Sequence, residues 1–255
     1  MNHTPDSAAE RRRGLRYALG CYAVWGLFPL YWFPLKGAMP AEQMLAQRVV
    51  WSAVFALVLL LCYRQGGAVL AVLRRPRLLA AFAASSFLIG VNWLVYLWAI
   101  ANGHVLDASL GYFINPLFNV FLGFVVLKER LGAAQWAAIA LALSGILWLA
   151  VPAGQVPWIA LALAGSFGCY ALIRKLAPLD ALPGLALETF LLLPLAAAYL
   201  AWCAHSGTLA GFGSLNALQN AVLLGSGAAT TLPLLMFAAG SKRIPLSLLG
   251  ILQYF

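Results

Sequence analysis

The stretch LLAAFAASSFLIGVNWLVYLWAIANGHVLDASLGYFINPLFNVFLGFVVL, Leu78 to Leu127, holds a single charged residue, Asp107, and a single proline, Pro116. It reads as two apolar runs, Leu78–Ala101 and Ala108–Leu127, joined by a short polar connection. A helix rises about 1.5 Å per residue, so each run is long enough to cross a hydrocarbon layer of about 30 Å. Two membrane-crossing helices are the expectation for this region.

Six more segments read the same way: Leu15–Leu35, Ala46–Tyr63, Ala133–Val151, Trp158–Ile173, Gly184–Ala204 and Leu218–Gly240, with a ninth beginning near Ile244. Composition agrees, since 64% of the 255 residues are apolar and 9% charged. Soluble domains run nearer half and a quarter, and a globule of this size cannot hide that much apolar surface from water. Arg11–Arg13 ahead of the first run resembles the start of a signal peptide, but no apolar core fits between Arg16 and Cys21, so the first run is expected to be an uncleaved span. The fold class expected is an all-α integral membrane protein.

The net charge of +9 is spread in small groups between the apolar runs. With the N-terminus placed in the cytoplasm, 14 of the 16 basic residues fall in cytoplasmic segments, and only Lys36 and Arg48 fall elsewhere. This is the positive-inside pattern, and it fits basic loops facing anionic lipid rather than a nucleic-acid surface. Arg11–Arg13 and Arg74–Arg77 are accordingly read as lipid-facing loop charges. The four cysteines form no CxxC pair and the three histidines no cluster, so neither a metal nor any other cofactor is expected.

The chain carries a weak internal repeat. Shifted by 139 residues, Trp98-Ala99 falls on Phe237-Ala238 and Leu110-Gly111 on Leu249-Gly250. Shifted by 145, Gly20, Tyr22 and Trp25 fall on Gly165, Phe167 and Tyr170. Spans one, three and four thus pair with six, eight and nine. A unit with an odd number of crossings is inverted in its second copy, a common build of secondary transporters. The expected organisation is a cytoplasmic tail over residues 1–14, a five-helix repeat over 15–151 and a second over 152–255. Symmetry calls for ten helices, with the chain ending inside the ninth.

Asp107-Ala-Ser-Leu-Gly-Tyr-Phe-Ile-Asn-Pro116, followed by Lys128-Glu129-Arg130, resembles the EamA family of the drug/metabolite transporter superfamily, and within it the RarD-like branch. Tyr22-Ala-Val-Trp-Gly26, Gln47-Arg48-Val-Val-Trp-Ser52, Gly90-Val-Asn-Trp93 and Leu249-Gly-Ile-Leu-Gln-Tyr254 add to the likeness, which extends over nearly the whole chain. The resemblance implies ten helices in inverted five-helix repeats and the export or exchange of small metabolites. RarD-like proteins carry a chloramphenicol-sensitivity label, which establishes no substrate.

Seven residues are expected to line a substrate site: Trp25, Arg48, Asn92, Tyr112, Asn115, Glu188 and Gln253. Arg48, about 9 Å deeper than Glu42 on a helix, reads as an anion-binding group or as a side chain snorkelling to the interface. Glu188 reads as a proton-coupling site or as half of an ion pair, with Arg174, Lys175 or another helix as partner. Asn115-Pro116 interrupts span four. Proline there removes a donor and frees a carbonyl, so the pair reads as a cavity lining or as an interhelical brace, and Asn119, Asn92 and Thr230-Thr231 carry the same two readings. The aromatic residues read as a cage for a ring or cation, or as packing. Ala160, Ala164 and Gly168 form a small-residue stripe suited to helix packing.

A secondary transporter working by alternating access is the function expected, in a bacterial inner membrane, with a small-molecule substrate, the lipid bilayer and a coupling proton or ion as partners; the oligomeric state stays open. Nucleotide hydrolysis is not expected to drive it, since there is no Walker A motif. An intramembrane enzyme and a non-transporting regulator are the alternatives. No histidine lies deep in a span to serve the first, and the chain has no soluble domain to serve the second.

Overall fold

The computed structural model describes residues 8–150, 157–211 and 213–254, and among them there are only helices, turns and loops. Eleven α-helices follow one another: α1 (Ala8–Gly26), α2 (Phe28–Trp32), α3 (Ala41–Cys62), α4 (Gly66–Leu73), α5 (Pro76–Ala101), α6 (Val105–Val125), α7 (Ala133–Ala150), α8 (Trp158–Leu176), α9 (Ala181–His205), α10 (Ala217–Ser241) and α11 (Leu246–Leu252). Six of them, α3, α5, α6, α8, α9 and α10, are long and apolar enough to cross a bilayer.

The structure departs from the expected eight spans in definable ways. The first expected span, Leu15–Leu35, is not one helix. Helix α1 begins at Ala8, so it includes Arg11–Arg13 and lies partly in the stretch read as a tail, and it stops at Gly26. Pro29 and Pro34 follow, and each sits in the first turn of a new short element, α2 and a 3₁₀ turn over Phe33–Leu35. Proline donates no hydrogen bond and its ring crowds the preceding turn, so the apolar run continues while the helix does not. Helix α7 is apolar but short, and Val151, the expected end of that span, lies outside the described residues. The ninth segment forms α11, of seven residues. Helix α4 falls between the expected spans Ala46–Tyr63 and Leu78–Ala101, where no helix is expected.

Four helices are followed by a residue in the left-handed conformation. Gly103 after α5 and Gly207 after α9 have φ of 80° and 70°. The next residue's N–H bonds back to Ala99 and Cys203 respectively, closing the last turn. Arg64 after α3 and Lys128 after α6 take the same conformation without being glycine, both with φ of 54°.

The chain forms two compact units. The first takes the chain through Leu19, residues 88–176 and Gly240 onward. In it α6 packs against α8 and α11. The contacts are close because small residues sit at them. A Cβ on Gly111 would lie 3.3 Å from the Ala160 backbone, and one on Gly168 would meet Phe118. Ala160 and Ala164 are buried, so the small-residue stripe of α8 is a helix-packing surface.

The second unit takes residues 20–87 and 177–239. Helix α3 packs along α9, and α4 lies on α9 as well. Ala56, Leu60, Val69, Val72, Phe82, Ala186 and Leu187 form one core cluster. Leu35, Met39 and Leu223 form another, backed by Trp32 and Trp51. Gln43 ties down the loop after α9 twice over: its Nε2 donates to the Thr208 carbonyl (2.8 Å) and its Oε1 accepts from the Ala210 N–H (2.8 Å). Each unit takes segments from both expected five-helix stretches, 15–151 and 152–255.

Candidate functional site

Asn115 stands midway along α6, about 15 Å from either end and therefore near the centre of a crossing helix. Its Nδ2 donates to Oε1 of Gln253 at the end of α11 (2.7 Å). The approach depends on Gly250: a Cβ there would lie 2.6 Å from the Pro116 carbonyl oxygen. The structure therefore brings two of the seven expected residues together. It also leaves polar capacity unused. Asn115 is buried and its Oδ1 accepts no hydrogen bond among the described residues. Asn119, one turn on, is wholly buried, and neither its Oδ1 nor its Nδ2 is bonded. An amide offers two donors and an acceptor. Leaving such a buried group unmatched costs about 1–3 kcal/mol. Native interiors rarely tolerate this without a water, an ion or a ligand nearby.

Two other expected residues belong to this unit. Asn92 of α5 donates to the Leu163 carbonyl (2.9 Å) and to Ser166 Oγ (3.0 Å), bracing α5 against α8. Tyr112 lies edge-on to Tyr96 with ring centroids 5.8 Å apart, and 55% of it is exposed.

Trp25, Arg48 and Glu188 belong to the second unit. Trp25 packs against Tyr22 and Phe237, with centroids 5.9 and 5.6 Å away. Arg48 is half-buried on α3. Glu188 is buried on α9 and accepts a 2.6 Å hydrogen bond from Ser85 of α5. Sequence reading missed Ser85, which is 103 residues away and looks like any small residue in an apolar run. Four further hydroxyls of this unit, on Ser52, Ser226, Thr230 and Thr231, are buried without a hydrogen-bond partner among the described residues.

A second feature missed by sequence reading holds α11 in place. The N-cap of α11 is Pro245, which has no side chain able to cap. Glu129, from the loop after α6, does so instead. One carboxylate oxygen accepts from the Leu246 N–H (2.7 Å), and the other from the Ser247 N–H (2.9 Å) and Oγ (2.7 Å). Lys175 of α8 closes the other side of the turn, its Nζ donating to the carbonyls of Ser241 (2.8 Å) and Ile244 (2.6 Å). An anion at the helix start and a cation at the preceding helix end both match the helix dipoles. Because α11 carries Gln253, this clamp sets the register of the amide pair.

The EamA-like transporter family model matches residues 12–151 of the chain. The chain belongs to that family. Among relatives of this EamA chain is an uncharacterized transporter of Pseudomonas aeruginosa, 46% identical over 97% of the chain and 83% of its own length. Protein RarD of Escherichia coli is 43% identical over the same shares. The chloramphenicol-sensitive protein RarD of Pseudomonas aeruginosa is 34% identical over 95% of the chain and 81% of its own length. The protein is thus RarD-like, and with six helices able to cross a bilayer it is a multi-pass bacterial membrane protein.

Proposed function

We propose that this EamA protein is a secondary transporter that moves a small metabolite or drug-like molecule across the inner membrane by alternating access. The observation that carries the reading is the unmatched amide oxygen of buried Asn115 together with the unmatched amide of Asn119 among the described residues, beside Pro116 and at the middle of α6. Polar groups at that depth are costly unless something meets them, and in a transporter the substrate does so. Amides donate and accept without carrying charge, which suits a neutral or zwitterionic solute rich in hydroxyl, carbonyl or amide groups. The packing of α6 on α11 and of α3 on α9 supports two inverted repeats, because helices related by a two-fold axis meet beside it. Arg48 and Glu188 supply the charged groups for anion recognition or ion coupling. The N-terminus lies in the cytoplasm, on the side where the basic connections gather.

The test is uptake and efflux in proteoliposomes with a panel of labelled polar metabolites and chloramphenicol. The reading expects saturable movement of at least one solute, lost in Asn119→Leu while the protein still folds and inserts. No movement of any solute by the folded wild-type chain, or movement unaffected by Asn119→Leu and Asn115→Leu, would overturn it.

A further inference from the structure

Helix α4 joins α3 to α5, two helices that are long and apolar enough to cross the bilayer. Its eight residues rise about 12 Å, too little to cross, so α4 lies at the membrane face. One side of it is fixed: Val69 and Val72 are buried in the cluster with Phe82, Ala186 and Leu187. The opposite side is bare. Gly67, Leu70, Ala71 and Arg74 follow one another at helical spacing, and with Arg75 they line an open cleft of about 440 Å³. Leu70 and Leu73 are 64% and 53% exposed. Gly67 and Ala71 keep the cleft floor low, and nothing lies within 4 Å of where a Gly67 Cβ would stand.

Among the described residues the charge here has no acidic partner. Arg64, Arg74, Arg75 and Arg77 surround α4, and the sequence contains no acidic residue between Glu42 and Asp107. Asp180 opens α9, the helix on which α4 lies, yet among the described residues it pairs with none of the four arginines. A soluble anion would explain the guanidinium groups but not the exposed leucines beside them. A lipid tail alone would explain the leucines but not the guanidinium groups.

We infer that the α4 cleft is a binding site for an anionic phospholipid, its phosphate held by Arg74 and Arg75 and its glycerol and upper acyl chain lying along Gly67, Leu70 and Ala71. Guanidinium groups bind phosphate oxygens in pairs of hydrogen bonds, and a zwitterionic lipid would bring its own cation into competition with them. Since α4 is anchored in the core shared by α3, α5 and α9, a lipid held there is fixed to the ends of these crossing helices and does not merely drift past a basic loop.

The experiment is native mass spectrometry of the purified chain in a non-ionic detergent, titrated with phosphatidylglycerol, with phosphatidylcholine, and with phosphatidylglycerol in excess inorganic phosphate. Each arginine near an anionic surface contributes about a fivefold factor, so the double substitution R74Q/R75Q should weaken phosphatidylglycerol retention roughly thirtyfold. The substitution G67W, which fills the cleft without a backbone clash, should weaken it with every arginine in place. The control R11Q/R12Q removes the same charge from another exposed stretch and should leave retention within about twofold. Inorganic phosphate should not displace the lipid. Thermal unfolding midpoints matching wild type establish that the variants fold, as expected for exposed positions. Equal loss in R74Q/R75Q and R11Q/R12Q, equal retention of phosphatidylcholine, displacement by phosphate, or unchanged retention in G67W would each overturn the site.

Discussion

Replacing Glu129 by alanine should release α11 before it harms anything else. The carboxylate holds two backbone N–H groups, of Leu246 and Ser247, and one hydroxyl, at 2.7 to 2.9 Å. Leu246 and Ser247 are buried, so water cannot easily replace it. Each orphaned donor costs about 1–3 kcal/mol, which puts the local loss for the pair at about 2–6 kcal/mol. Pro245 gives α11 no side-chain cap of its own, so at this end nothing on α11 replaces the Glu129 carboxylate. The sensitive readout is hydrogen exchange at the Leu249 amide, which bonds to the Pro245 carbonyl in the first turn of α11. The lower end of that range predicts faster exchange by a factor of about 30, with amides in the middle of α8 and α9 unchanged. Glu129→Gln keeps one acceptor oxygen and should fall between alanine and wild type. Unchanged protection at Leu249 in Glu129→Ala would refute the claim that this carboxylate holds the helix.

Three further outcomes follow from named contacts. Gly227→Ala should prevent proper folding, measured as loss of a monodisperse peak in detergent, because its Cβ would run into the Trp51 carbonyl and backbone cannot yield as a side chain can. Lys128→Gly should raise thermal stability by about 0.5–1 kcal/mol, since Lys128 is exposed and takes φ of 54°, a conformation costly for any residue with a Cβ. Gln253→Leu should raise the KM for whatever solute is transported more than it lowers the maximal rate, because it removes the hydrogen bond that Asn115 Nδ2 makes to Gln253; equal loss in both parameters would speak against a binding role.

The class of the molecule was legible because hydropathy and charge act residue by residue. Whether a stretch is apolar enough for lipid does not depend on its neighbours in space. What composition could not report was hydrogen-bond continuity, and so Leu15–Leu35 read as one span although Pro29 and Pro34 divide it. Helix α4 escaped for the opposite reason: at eight residues it was too short to register between Arg64 and Arg74. Asn115 and Gln253 were both picked out, Asn115 beside a proline within a span, and their contact is a fact of three dimensions 138 residues apart in the chain. The unmatched state of Asn119 is likewise invisible without coordinates, since an asparagine in a span reads the same whether or not it finds a partner. Glu129 stood within a recognisable motif, but nothing in that motif names Leu246 and Ser247 as its targets.

The clamp around the turn from α10 to α11 has a handedness of charge. Glu129 addresses N–H groups at a helix start, and Lys175 addresses carbonyls at a helix end. Surface ion pairs can be exchanged, acid for base and base for acid, because only their mutual attraction matters. This pair cannot, because each member faces a peptide terminus whose polarity is set by the direction of the chain. A lineage that lost one charge could not recover by reversing both. It would have to restore the original, or rebuild the turn.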